Sequence, residues 1–551
     1  MVSETAIRPA RSAGRVPVFA GLLLLAACTA GFVALAMARG WVNDDALITS
    51  RYAVHIAGGH GYVWNIVEPQ RVEGSTSIAW TLLQAAAVRL RADPVWFAHL
   101  LGLASGALVL VAVYLGAWHT LGLGPVWALA GVAFLAAQRQ FVLWSVSGME
   151  TSAAAFIVLA ATLQLLREAA ADDAGQHRAL GRGLASGLLF FLGSLLRPET
   201  PLLHLAAGIG IVATHRRRGV LRLVLASGLV HAAGLVLLTG WRIAYFGQPL
   251  PNPFYVKVGA IQFGRGLRFL GAFLVQNQAW LWGGAILVAA PLLWRRARLP
   301  FVTFAASILA WSVWLVALGG DVWEFRMLVP ILPFCALLFA LGVAHIAAPG
   351  SRWLRLRQAV AALLVLAVGI SQLGVLRSGF RKFGDSFSVE ELAQSSSYMS
   401  LEASLLAPYL GPNDRLCTGW SGAIPYFTGA WHFDPWGLND PAIARRPLET
   451  GTVLYHQRHA TWDDVVANRV LVCDLFNHFL FPQPFDASVS RRVAPWVEPG
   501  VPVYTVRLPA GQYWIFTSSR PRAEVDSWLG VRGLSVESVV PLPAGWPRLG
   551  G

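Results

Sequence analysis

Charge is scarce in this sequence: Asp, Glu, Lys and Arg make up 13% of its 551 residues, against roughly a quarter in soluble proteins. That shortage excludes an ordinary water-soluble domain over most of the chain. Lysine is almost missing; of 43 basic residues only Lys257 and Lys382 are lysines. Cysteine is limited to four positions with no CxxC or Cys/His metal spacing, which removes the thiolate-bound metal modules. No internal repeat of the kind that builds secondary transporters stands out.

What fills the chain instead is apolar. Hydrophobic residues make up 56% and the mean hydropathy is +0.55. Runs near ~20 residues, the length that crosses a bilayer, recur along the sequence. The net charge of +14 is not a nucleic-acid footprint, because much of the arginine sits in short clusters between apolar runs. These are Arg8, Arg11 and Arg15; Arg167, Arg178 and Arg182; Arg216, Arg217, Arg218 and Arg222; Arg295, Arg296 and Arg298; Arg352, Arg355 and Arg357. That is the positive-inside pattern, which sets topology and holds cytoplasmic loops at the anionic leaflet.

With those clusters inside, eleven spans are expected near 16–38, 95–117, 125–143, 151–166, 183–196, 201–214, 222–240, 274–293, 301–318, 327–348 and 359–376. Val16–Ala38 exceeds the ~7–15-residue core of a signal peptide and runs straight into an acidic loop, so it reads as a retained anchor. Ser75–Leu90 is shorter than a span and is followed closely by Arg91. Counting it as a span would put the Arg355 cluster on the wrong side. It reads as an interfacial helix on the outer leaflet, with a short tilted span as the alternative.

After Arg377 the long apolar runs stop. Alternating stretches such as "RVLVCDLF", "VPVYTVRL" and "QYWIFTS" appear, separated by turn signals such as "LGPND", as in a soluble α/β domain. The expected division is therefore 1–378, membrane, and 379–551, an α/β domain on the extracytoplasmic side. Cys28 and Cys335 fall in apolar helices as packing residues; Cys417 and Cys473 are candidates for a disulfide if their region is extracytoplasmic.

The polar residues of the apolar half gather on the inferred outer face, at helix ends. They are Asp44, Asp45, Glu73, Glu150, Glu199, Asp321 and Glu324, with Arg51, Arg197, Arg242, Lys257 and Arg326. A pump or channel buries such residues mid-helix; charges at helix ends favour chemistry on a headgroup or sugar. The "WVNDDALITSR" stretch puts two adjacent carboxylates directly after the first span. One reading is a helix N-cap by Asp44; the other is a general base. Glu150 in "WSVSGMETS" is a cap or a site acid, Arg197 in "LLRPET" pairs with Glu199 or marks the interface, and "GGDVWEFR" is a site or a salt-bridged turn. In "FGQPLPNPFYVKV", Pro249, Pro251 and Pro253 are expected to stop any helix and hold the backbone extended. Asn252, Tyr255 and Lys257 then offer groups that suit a phosphate or sugar headgroup.

Taken in order, "DDALITSRYAVHIAGGHGYVWN…QRVEGSTSIAW", "WSVSGMET", "LLRPE", "PLPNPFYVKV" and "GGDVWEFRMLVPILP" resemble the GT-C superfamily of membrane glycosyltransferases. The likeness is nearest to the polyprenyl-phosphate-sugar-dependent bacterial group that includes the actinobacterial arabinofuranosyltransferases. It covers most of the membrane half and continues weakly into "SGAIPYFTGAWHFDPWGLNDP".

The resemblance implies a GT-C fold of about eleven transmembrane helices plus interfacial helices, in a bacterial plasma membrane with a cytoplasmic N-terminus. It implies inverting transfer of a sugar, arabinofuranose as the best single guess, from a polyprenyl-phosphate donor to an envelope glycan or glycolipid, with membrane lipid the remaining partner. By the same resemblance the base maps to Asp44 or Asp45, Asp44 first, and Glu150 to a second acidic position. Arg197, Lys257 and Arg326 are candidates for the leaving phosphate, with Tyr255 and Asn252 beside them. Glu199, Glu73 and Asp321 complete the acidic set. Relatives that use a divalent metal show a DxD-like pair, whereas this chain has adjacent acids and a lone Glu150, so a metal is left open. Two other readings remain at this point: a lipid-linked sugar transporter, and a non-catalytic protein of the same fold that binds envelope glycan or supports a surface machine.

Overall fold

A computed structural model describes residues 15–173, 183–215, 217–259, 261–348, 353–449 and 456–549. Of the topology arginines, Arg8, Arg11, Arg178, Arg182, Arg216 and Arg352 lie outside these residues. The chain forms two compact units. One comprises residues 1–41, 98–238 and 260–389; the other comprises 42–97, 239–259 and 390–551.

The α-helices of the described residues are α1 (Arg15–Met37), α2 (Asp44–Ala57), α3 (Ile78–Arg89), α4 (Pro94–Leu115), α5 (Pro125–Ala136), α6 (Arg139–Trp144), α7 (Thr151–Asp173), α8 (Leu184–Leu196), α9 (Thr200–Thr214), α10 (Arg218–Phe246), α11 (Asn252–Lys257), α12 (Phe263–Gln276), α13 (Ala279–Arg296), α14 (Arg298–Leu318), α15 (Leu332–Ile346), α16 (Leu354–Ser378), α17 (Val389–Leu406), α18 (Ala423–Thr428), α19 (Trp462–Ala467) and α20 (Arg522–Val531). A helix stands at every one of the eleven expected spans. Among the described residues seven are long and apolar enough to cross a membrane: Val16–Met37, Pro94–Thr120, Thr151–Ala171, Arg218–Phe246, Arg298–Leu318, Arg326–Ile346 and Leu354–Ser378. Helices α5, α8 and α9 are apolar but shorter.

Two expected spans are interrupted, each by polar side chains. The 125–143 run breaks after Ala136 because Gln138 is extended and its side chain caps α6, accepting from the Phe141 amide at 2.8 Å. The 274–293 run is really the end of amphipathic α12 followed by α13, with Gln278 left-handed between them (φ 50°). Asn277 there accepts from Gln138 Nε2 at 3.1 Å.

In the first unit α9 packs on α14, α5 on α15 and α1, α7 on α8, and α13 on α15. Its interior carries a chain of polar contacts through four helices. Ser194 Oγ lies 2.8 Å from His231 Nε2, and His231 Nδ1 lies 2.8 Å from His204 Nδ1. His204 Nε2 is 3.0 Å from Ser227 Oγ, which is 3.1 Å from Ser186 Oγ. Ser186 Oγ is in turn 2.7 Å from Glu168 Oε2. All six side chains are buried. A neutral imidazole carries one N–H, so the contact between the two Nδ1 atoms puts the two neutral rings in opposite tautomers.

In the second unit α2 packs on α3 and α18 packs on α2. The sheet consists of β1 (Arg415–Cys417), β2 (Trp431–Phe433), β3 (Val472–Cys473), β4 (Leu480–Phe481), β5 (Pro502–Arg507), β6 (Tyr513–Thr517) and β7 (Val536–Pro541). Its order is β2-β1-β3-β6-β5-β7, with β4 also on β6. Strands β1, β2 and β3 are parallel, the rest antiparallel. Two apolar layers cover its faces, one around Leu416, Trp514 and Phe516, the other around Phe433, Val503 and Trp496.

Cys417 and Cys473 are register partners on β1 and β3. Both are free thiols, fully buried. The two lie opposite each other on neighbouring strands and are not bonded to one another.

Candidate active site

Each unit gathers part of the expected polar set. In the second unit Asn43, not Asp44, caps α2: it is extended, and its side chain accepts from the Asp45 amide at 2.9 Å. The Asp44 carboxylate is thus free of the capping task and reaches α18. Its Oδ2 accepts from Gly422 N at 2.9 Å and its Oδ1 from Ala423 N at 2.8 Å. Only glycine fits at 422, because a Cβ there would collide with the Asp44 carbonyl and carboxylate. Burial pushes the Asp44 carboxyl up to about 7, against the lowering effect of the two amides. Its neighbour Asp45 is half-buried and lies 3.9 Å from Lys257 Nζ.

The proline-rich loop departs from expectation. Residues 252–257 are the short helix α11 rather than extended chain. Pro251 is its extended cap and Pro253 sits in the first turn, where a missing N–H is no loss. Asn252 spends its amide on the backbone, donating to Gly437 O at 2.7 Å and Leu438 O at 3.0 Å. The Arg445 guanidinium lies 4.5 Å over the Tyr255 ring. Glu73 is fully engaged with Arg242, through two bonds of 2.7 and 2.8 Å, both groups buried.

In the first unit a second cluster forms. Arg197 Nε is 2.8 Å from Glu150 Oε1, and its Nη1 is 3.5 Å from Glu199 Oε1. The left-handed pair Gly319–Gly320 (φ 89° and 85°) ends α14 and turns the chain into Asp321. Asp321 Oδ1 accepts from Val322 N at 2.8 Å, while Oδ2 faces Arg326 Nε at 3.5 Å. Arg326 also stacks 4.2 Å over Trp323. Glu324 points elsewhere, to Arg139 at 2.5 Å.

Residues 391–504 match a family model described as a domain of unknown function, DUF8728. No curated protein matches the chain. Among solved structures, ArnT from Cupriavidus metallidurans bound to undecaprenyl phosphate is 14% identical, with a TM-score of 0.51 over 77% of this chain and 86% of its own. The archaeal oligosaccharyltransferase AglB from Archaeoglobus fulgidus, in complex with an inhibitory peptide and a dolichol-phosphate, is 13% identical. Its TM-score is 0.52, over 95% of this chain and 76% of its own. This chain has the GT-C fold. A third structure, arabinofuranosyltransferase AftD from Mycobacteria, aligns at a TM-score of 0.47, with 14% identity over 88% of this chain and 40% of its own.

On this GT-C frame the structure also exposes acids that the sequence did not single out. Asp434 accepts from Trp436 N, Asn439 N and Asn439 Nδ2 at 2.8–3.0 Å, and burial pushes it up to about 6. Asp474 accepts from Thr418 Oγ1 at 2.7 Å and is pushed up by burial to about 7. Both follow the C-terminal ends of parallel strands, where open α/β sheets put their polar chemistry. "WHFDPW" and "VCDLF", each with one acid in an apolar stretch, were the signals available. Among the described residues no group of three or more His, Cys, Asp or Glu is arranged to hold a metal ion.

Proposed function

We propose that this protein is an inverting glycosyltransferase acting at the outer face of a bacterial plasma membrane. The N-terminus is cytoplasmic, residues 379–551 are extracytoplasmic, and α3 lies on the outer leaflet, a placement supported by its exposed Leu82 and Leu83. The donor is a polyprenyl-phosphate sugar; ArnT and AglB, of the same fold, carry undecaprenyl phosphate and dolichol-phosphate respectively. The acceptor is an envelope glycan or glycolipid. Arabinofuranose as the sugar follows from the resemblance to the arabinofuranosyltransferases.

The observation that carries the reading is the Asp44 carboxylate, fixed by two backbone amides beside Asp45 and Lys257, with burial pushing its pKa up to about 7. A general base works best with a pKa near the operating pH. In the proposed step Asp44 takes the proton of an acceptor hydroxyl. The hydroxyl oxygen bonds to the anomeric carbon from the face opposite the phosphate, and the sugar–phosphate bond breaks to release polyprenyl phosphate. Negative charge grows on that phosphate in the transition state, so cations held ready for it lower the barrier. Lys257, kept in place by Asp45, fills that role in the unit that holds Asp44; Arg197 with Glu150 and Glu199, and Arg326 with Asp321, are the candidate cations of the other unit. Tyr255 and Asn252 shape the loop carrying Lys257, and Glu73 anchors the segment before α3 through Arg242.

The test is transfer by the purified full-length protein from labelled polyprenyl-phosphate sugars to an envelope acceptor, comparing wild type with Asp44→Asn and Asp45→Asn. Removing a general base costs about 10²–10⁴-fold in kcat. Loss of that size in Asp44→Asn, with donor binding intact, supports the assignment. Wild-type rates in both variants sink the base, and a wild type silent with every donor sinks the transferase.

A further inference from the structure

Helices α2 and α18 lie side by side, and their contact has two ends. At one, Asp44 meets the Gly422 and Ala423 amides. At the other, Arg51 donates to Pro425 O and Ala430 O. Asp44 and Arg51 are seven residues apart, two turns of helix, so they share a face of α2 about 10 Å apart along its axis. Beside Arg51 opens a cavity of about 550 Å³, walled by Arg51, His55, His60, Pro425, Tyr426 and Phe427 among others.

The cavity's chemistry is selective. Among the described residues its lining includes a buried guanidinium and no carboxylate. Arg51 donates Nε to Trp64 O at 3.0 Å, Nη2 to Asn65 Oδ1 at 3.1 Å and to Ala430 O at 2.8 Å, and Nη1 to Pro425 O. These are neutral oxygens and account for four of its five N–H donors, so its charge is not met by an acid in these bonds. His55 Nδ1 is 2.9 Å from Val63 O. Burial first, and Arg51 next, push its pKa down to about 4. The ring is therefore neutral with its proton on Nδ1, and Nε2 is an acceptor. Tyr426 is half-buried and Phe427 is 44% exposed, which leaves aromatic surface at the wall for a ligand to lie against. A cation, a hydrogen-bond acceptor and aromatic faces in one concavity fit a sugar that bears an anionic group.

We infer that this cavity binds a negatively charged sugar unit, bearing a carboxylate or a phosphate, of the glycan whose hydroxyl is presented to Asp44 two helical turns away. The inference deepens the transferase reading and rests on it for the word acceptor; the binding itself does not depend on turnover.

The experiment is calorimetric titration of the full-length protein in detergent, without donor. The probes are a galacturonic acid tetramer, glucose 6-phosphate, and neutral maltotetraose. The expected result is at least tenfold tighter binding of one or both anionic probes than of maltotetraose; which one binds names the source of the charge. Phe427→Ala and His60→Ala are expected to weaken that binding at least fivefold with the melting temperature unchanged, since both side chains reach the surface. Equal affinity for the neutral tetramer, or no binding by either anionic probe, overturns the inference. Anion binding undiminished in Phe427→Ala overturns its location. Because donor is absent, a failed transfer assay leaves this outcome readable, and the reverse holds too.

Discussion

Glu402, on α17, gives the sharpest test of how this protein handles buried charge. It is 1% exposed, and its Oε1 accepts from Phe479 N at 2.9 Å and from Leu480 N at 2.5 Å. Burial pushes its pKa from the ordinary 4.5 up to about 8. A carboxyl raised in the folded state binds its proton more tightly there than in the unfolded chain. It therefore contributes stability that is complete below about pH 4 and is lost as pH rises to about 8. At ~1.4 kcal/mol per pH unit the loss reaches ~5 kcal/mol at most.

Glu402→Gln keeps an oxygen for both amides and cannot ionise. The variant is expected to match wild type within ~1 kcal/mol near pH 5 and to exceed it by several kcal/mol near pH 9. Thermal unfolding of the full-length protein in detergent, followed by tryptophan fluorescence, reads this as a gain on the order of 6–12 °C at the higher pH, at roughly 2–4 °C per kcal/mol. If the two proteins melt with the same offset at both pH values, the glutamate ionises without penalty and the reasoning fails.

Three further outcomes are expected. As a base with a pKa pushed to about 7, Asp44 must be ionised to act, so kcat/KM rises through neutral pH and levels above it; a flat profile there would remove Asp44 from the role. Arg242→Leu strands the buried Glu73 carboxylate and is expected to cost about 3–5 kcal/mol, while adding Glu73→Leu restores part of the loss; equal melting of the single and double variants counts against a buried pair. The four cysteines are free thiols, with Cys417 and Cys473 fully buried. Alkylation without reductant is expected to label those two only after unfolding, and a mass showing fewer than four labels in the unfolded chain would reveal a bond.

The helical half was legible because bilayer-length apolar runs cannot hide, and all eleven positions proved helical. The boundaries were less so. Gln138 and Asn277 look like minor interruptions in sequence, yet Gln138 caps the start of α6 with its side chain, and Asn277, at the end of α12, accepts from Gln138. Amphipathic α12 has no long apolar run, so nothing flagged it. Proline spacing misled at 249–253 because a first helical turn tolerates proline. In the site, adjacent Asp44 and Asp45 announced themselves, but their division of labour did not. It depends on Gly422 and Ala423, nearly four hundred residues on, and no local pattern encodes a contact that distant. Glu73 and Arg242 looked like two outer-face charges, although the fold uses them on each other.

The buried line from Ser194 to Glu168 has a consequence for how the protein is made. Its residues sit on α7, α8, α9 and α10, and the order of synthesis is the order of the helices. When α7 and α8 have entered the membrane, Glu168 already has Ser186. His204 is different: both of its partners in this line, Ser227 and His231, belong to α10. A chain halted after α9 therefore holds an imidazole in lipid with neither of those neighbours present, an expensive state in hydrocarbon. Helix α9 finds its resting place only when the ribosome has delivered α10, so these two segments enter the bundle as a pair.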